Sequence, residues 1–234
     1  MTANFINMIT VIIGSLIGLL LKKGIPQRVS LAAMTGIGVC TVYIGYTGAM
    51  SGENVLIVIA AMIIGSVIGT LLDIDGKINS LGEKLEAKFK WKDNKGNLAK
   101  GFVTASLLFC VGSMTITGAL QAGINGKSDL LITKSLLDLM SSMMLSSSLG
   151  FGVLLASVFV LVFQGALTLL AEFIAPFLSF GAINEMTCAG SLITLMLGLN
   201  LMNISKIKIA DYLPAIIVAP IIYNIVPYIL KIFR

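Results

Sequence analysis

Residues 129–171 read DLLITKSLLDLMSSMMLSSSLGFGVLLASVFVLVFQGALTLLA, and whether this stretch crosses a membrane once or twice decides the architecture. A membrane-spanning helix needs roughly 20 mostly apolar residues, and this run is about twice that length. Gly150 and Gly152 punctuate its middle, as helix breaks do. Two helices are therefore expected, over 129–148 and 151–171. Working outward, comparable runs occupy 4–21, 30–50, 55–72, 101–121, 187–203 and 211–230.

Eight spans consume most of the 234 residues, so no soluble domain of ordinary size fits beside them. With 57% hydrophobic residues and mean hydropathy +1.00, residues 1–234 read as a single integral membrane domain. Its expected fold class is all-α, a polytopic transmembrane helical bundle of about eight spans. The apolar runs are continuous rather than alternating with period two, which argues against a β-barrel.

Lys and Arg set the orientation, because their excess in short loops stays cytoplasmic. The 22–28 link carries Lys22, Lys23 and Arg28, and the 73–100 segment carries seven lysines. The link around Glu53, between these two, carries none. No charge precedes the first apolar run, whereas a secretory signal needs a basic start. The first helix thus reads as retained, with its N-terminus outside. On an eight-span count Lys206 and Lys208 fall inside and Lys231 and Arg234 outside. They exchange sides if 129–148 does not span. The net charge of +5 is accounted for by this loop pattern. The lipid bilayer, not nucleic acid, is the expected partner.

Within 73–100, Ile74, Ile78, Leu81, Leu85 and Phe89 recur at helical spacing among Lys and Glu. This predicts an amphipathic cytoplasmic connector lying on the inner leaflet. Trp91 would anchor at the interface, and Asp93 to Asn97 would form a turn.

The chain also resembles itself. A shift of 150 places Leu19-Leu20 on Leu169-Leu170, Pro26 on Pro176, and Gly65/Gly69 on Ala215/Ala219. Shifts of 152 and 153 place Met34-Thr35 and Gly38 on Met186-Thr187 and Gly190, then Thr41 and Gly45 on Thr194 and Gly198. Spans 1–3 therefore match spans 6–8, with two helices inserted. On the eight-span count the two triplets run in opposite directions, the plan of many transporters. Spans 2 and 7 are rich in Gly and Thr, which serve either unwinding or close packing. Gly14/Gly18 and Gly65/Gly69 read as packing faces or as homodimer faces.

Polar groups inside such a chain point to function. Lys134 and Asp138 are four apart, hence on one helical face. Gln164 lies mid-span and both donates and accepts. Ser113, Thr115 and Thr117 follow Gly112 in span 4, supplying oxygens suited to a hard cation or bonds back to their own helix. Asn184, Glu185 and Thr187 open span 7 and Asn200 closes it, as an entrance or as caps. These ten residues are the candidate ion or solute pathway. Asp138 is the expected cation or proton site and Lys134 its charge partner; a static ion pair is the alternative.

Other chemistries find little material. The chain has no His, and Cys40, Cys110 and Cys188 form no CxxC pair, so no metal site or cofactor is expected. A single carboxylate deep in the membrane cannot build an acid–base dyad. No enzymatic activity is expected.

Several strings carry a wider resemblance. They include Phe109-Cys110-Val111-Gly112-Ser113-Met114, Lys134-Ser135-Leu136-Leu137-Asp138, Leu149-Gly150-Phe151-Gly152-Val153 and Gln164-Gly165. Leu199-Asn200-Leu201 and Leu213-Pro214-Ala215 complete the set. With these, the chain resembles along nearly its whole length a bacterial family of uncharacterised multi-spanning membrane proteins. That family is described as a domain of unknown function and sometimes labelled a sodium channel or pump. The resemblance implies a bacterial cytoplasmic membrane and transport of a small ion. A non-transporting assembly or regulatory protein is the alternative.

Overall fold

The computed structural model describes residues 1–22, 27–89, 97–110, 113–174 and 179–232. Among these, ten α-helices and one 3-10 turn account for nearly all residues, and there is no strand. In chain order they are α1 (Thr2–Lys22), α2 (Gln27–Ala49), α3 (Val55–Leu71), α4 (Ile74–Phe89) and α5 (Asn97–Cys110). Then follow α6 (Ser113–Ile124), α7 (Asp129–Leu149), α8 (Gly152–Ile174), α9 (Phe180–Leu201), the 3-10 turn Ile209–Tyr212 and α10 (Pro214–Ile232). Trp91, the turn from Asp93 to Gly96, Pro26, Pro176, Gly112 and the Ser113 side chain lie outside the described residues.

Local chemistry sets the boundaries. Asn54 accepts the Leu56 N–H at 3.0 Å and caps α3. Ser179 accepts the Ala182 N–H at 3.3 Å at the start of α9. Gly150, at φ +79°, ends α7 and reverses the chain into α8; a residue with a β-carbon is strained there. The expected break in 129–171 is thus present.

Five segments are long and apolar enough to cross a membrane: Thr2–Leu21, Leu31–Ala49, Gly152–Phe173, Phe180–Leu201 and Ile209–Val226. Counting the bent pairs α3/α4 and α5/α6 as one span each brings the number to seven. The expected count of about eight adds one more to these. The difference is α7, whose 21 residues would reach about 31 Å. It is long enough, but Lys134, Asp138 and six serines make it less apolar than its neighbours.

One expectation changes. Span 4 is not one helix: α5 and α6 meet at a 56° bend. Thr115 at its far side donates to the Phe109 carbonyl at 2.8 Å, six residues back, a bond no continuous α-helix makes. Spans 2 and 7, by contrast, are unbroken, and their glycines serve close packing. A β-carbon at Gly45 would come within 2.6 Å of the Leu195 nitrogen, and one at Gly38 within 3.0 Å of the Gly198 carbonyl oxygen.

The glycines also define which helices meet. Gly14 faces Leu139 and Ser142, and Gly18 faces Met143 and Ser146, so α1 and α7 lie parallel. Gly65 faces Ala215 and Gly69 faces Asp211, so α3 and α10 lie antiparallel, as do α2 and α9. Both suspected small-residue faces are therefore filled by helices of the same chain. The main core joins Val11, Phe109, Cys110, Leu145, Val153 and Ile193. Outward, Leu20 is 81% exposed and Phe180 78%. A periphery this apolar is stable only against lipid.

Candidate functional site

Lys134 and Asp138 stand one turn apart on the buried face of α7 and form a hydrogen-bonded ion pair. Lys134 is 5% exposed and Asp138 6%. Helices α1, α6 and α8 and the end of α5 pack around α7. The Lys134 ammonium lies 5.8 Å from the centre of the Phe109 ring, in the last turn of α5. A cation there gains from the ring face and from the carbonyl-rich end of a helix. The break between α5 and α6 and the ion pair thus occupy one place.

Beside them runs a row of amides. Asn7 Nδ2 donates to Gln164 Oε1 at 3.0 Å, linking α1 to α8. Asn7 also lies beside Asp138. One turn along, Asn4 Nδ2 donates to Thr168 Oγ1 at 3.0 Å, and Thr168 donates to the Gln164 carbonyl at 2.8 Å. Asn4 Oδ1, Asn7 Oδ1 and Gln164 Nε2 are buried without a hydrogen-bond partner. Unmet donors and acceptors of this kind cost roughly 1–3 kcal/mol each. They are suited to a water or a polar solute.

Sequence reading picked out Lys134, Asp138, Gln164 and Thr115, and the structure brings these together. It missed Asn4 and Asn7. Their signal was a pair of amides three apart near the start of an apolar helix, where polar residues pass for an interface. Thr117 sits half-buried on α6 and forms none of these bonds.

The α9 candidates lie elsewhere. Glu185 is 0% exposed, and its Oε1 accepts the backbone N–H groups of Glu53 at 2.9 Å and Asn54 at 2.7 Å. Asn184 Nδ2 donates to Glu53 Oε1 at 2.8 Å, and Cys188 donates to the Ala49 carbonyl at 3.1 Å. Together they fasten the α2–α3 loop onto α9. Thr187 is buried on the same helix. At the other end, Asn200 bonds both the carbonyl and the N–H of Ile207, at 2.7 and 3.0 Å, and holds the loop before the 3-10 turn.

A second polar place lies at the corner after α3. Asp211, on the 3-10 turn, accepts the Asp75 N–H at 2.9 Å, and Asp75 accepts from Asn79 at 2.9 Å. The chain turns by 49° before α4, and the polar composition of α4 puts Asp75 beyond the span. Partial burial, and then the neighbouring Asp211, raise its carboxyl above the usual range. Asp75 and Asn200 border a cavity of about 160 Å³ among α4, α5 and α9.

Helices with a lipid-facing periphery and a charged pair enclosed at a helix break define a polytopic helical membrane protein. More narrowly, the chain belongs to the family described as Protein of unknown function (DUF554), whose sequence model matches residues 2–224. It is 30% identical over 230 residues to the Uncharacterized membrane protein YdfK of Bacillus subtilis (strain 168), covering 97% of each chain. It is 27% identical over 218 residues to the Uncharacterized protein YqgA of Escherichia coli (strain K12), covering 92% of this chain and 93% of that one. No solved structure matches the chain.

Proposed function

We propose that this protein is a transporter or channel for a small ion, with a monovalent cation such as sodium or a proton as its solute. The observation that carries the reading is the enclosed Lys134–Asp138 pair at the α5/α6 break. A proton or sodium ion arriving at Asp138 competes with Lys134 for the carboxylate. The displaced ammonium then has the Phe109 ring and the α5 carbonyl end within reach. Binding would thus be coupled to the geometry of a broken helix, the arrangement through which many carriers operate. Asn7 and Gln164 would complete the coordination.

The reading includes an inverted repeat of α1–α3 and α8–α10, which requires α7 to cross the membrane. With the shift of 153, the contact of Val42 with Gly198 maps onto that of Gly45 with Leu195; with the shift of 150, Gly65 faces its own counterpart Ala215. Contacts that map onto one another are what a two-fold axis in the membrane plane produces. The proposal includes a cytoplasmic membrane, an N-terminus outside, and α4 on the inner leaflet. A homodimer would use faces other than the two glycine pairs.

The second reading, a non-transporting assembly or regulatory protein, draws on the closure of the pair. Lys134 and Asp138 do not line the cavity beside α5, whose apolar lining includes Leu107 and Leu197. Sodium and proton flux in proteoliposomes, native against Asp138→Asn, separates the two. Flux that the substitution removes supports transport. A folded native protein that passes neither ion under imposed gradients refutes the cation reading.

A further inference from the structure

The cavity among α4, α5 and α9 has features of a site and no role in the ion pathway above. Lys100, Thr104 and Leu107 share one face of α5 and line it, Lys100 exposed and the other two buried. Asp75 lines it from the start of α4. A carboxylate and an ammonium therefore border one space, whose apolar lining includes Leu107 and Leu197.

Thr104 marks it as more than a groove. It is 7% exposed, yet its hydroxyl has no hydrogen-bond partner among the described residues. Thr41 and Thr194, on helices α2 and α9, bond their own helix four residues back at 2.7 and 3.0 Å. Thr104 does not, and it faces the cavity. Asp75 also retains acceptor capacity, since an ionised carboxylate has about four lone-pair sites and Asn79 and the Ala210 N–H occupy two. Asn200, by contrast, is fully engaged with its own loop and serves as wall.

We propose that this cavity binds a small zwitterion of the neutral α-amino acid type. Its ammonium pairs with Asp75, its carboxylate with Lys100 and the Thr104 hydroxyl, and its aliphatic side chain with Leu107 and Leu197. The volume agrees: an apolar hole of about 150 Å³ admits benzene, and this cavity holds about 160 Å³. Opposite charges at its border exclude singly charged molecules of the same shape, because each leaves one protein charge unanswered. The site does not rest on the transport reading.

The test is isothermal titration of the purified full chain with L-valine, in parallel with two fragments of it. Isobutylamine is valine without its carboxylate, and isovalerate is valine without its ammonium. Saturable binding of L-valine alone is expected. Lys100→Gln, at an exposed position, should raise its Kd by about ten-fold or more, as should Asp75→Asn. Absence of L-valine binding to folded native protein overturns the proposal. Isobutylamine binding as well as valine, or an unchanged Kd in Lys100→Gln, overturns it too, the former in favour of a simple cation site.

Discussion

Asp138 and Glu185 are both buried carboxylates in a membrane protein, and they are satisfied in opposite ways. Glu185 accepts two backbone N–H groups from the α2–α3 loop on Oε1 while its Oε2 is buried without a partner, so one of its oxygens holds two segments together. Asp138 answers to a side chain one turn away on its own helix, and the neighbouring Asn7–Gln164 pair carries two unpartnered amide atoms. The first arrangement can change only if the loop lets go. The second changes by moving one lysine. Burial alone does not separate the two; the element that carries the partner does.

The harshest test of this contrast removes the wall beside Asp138. In Gly14→Leu the new β-carbon collides with the Leu139 carbonyl oxygen and Ser142 Oγ. Overpacking against backbone should cost at least about 3 kcal/mol, and size-exclusion chromatography should show no monodisperse protein. A folded variant would mean that α1 does not form that wall.

Lys134→Met comes next. It leaves a buried carboxylate unpaired, for an expected loss of about 3–5 kcal/mol. Adding Asp138→Leu should recover most of it in thermal unfolding while leaving flux absent. If the double variant is as unstable as the single one, the pair is a structural staple like Glu185, and the contrast fails.

Glu185→Gln weakens two charge-assisted bonds and should cost roughly 2 kcal/mol. Flux per folded molecule should stay at the native level. A specific loss of flux without loss of stability would move Glu185 into the pathway.

The smallest effect concerns Asp75. Its carboxyl is raised by burial and by Asp211, so ionising it is harder in the folded chain than in the unfolded one. Its contribution to stability is therefore full below the ordinary value of 3.8 and is lost as pH rises through the raised one. Asp75→Asn should gain melting temperature relative to the native chain as pH rises from 3.8 through the raised value. A constant difference would show that neither burial nor Asp211 shifts this carboxyl.

The sequence by itself determined the class. Long apolar runs admit only membrane helices, and the spacing of Lys134 and Asp138 places them on one helical face whatever surrounds it. The Gly150–Gly152 break was legible because glycine at positive φ is a local property. Tertiary structure alone decided where helices interrupt. Glycines in spans 2 and 7 left unwinding and close packing both open; Gly38 and Gly45 are filled by α9, and the bend fell between α5 and α6. Whether a glycine loosens a helix or seats a neighbour depends on what lies opposite, which one strand of sequence does not contain. The same holds for Asn7 and Gln164, separated by 157 residues. Their meeting beside Asp138 follows from the packing of α1 against α7 and α8, and no local pattern encodes it.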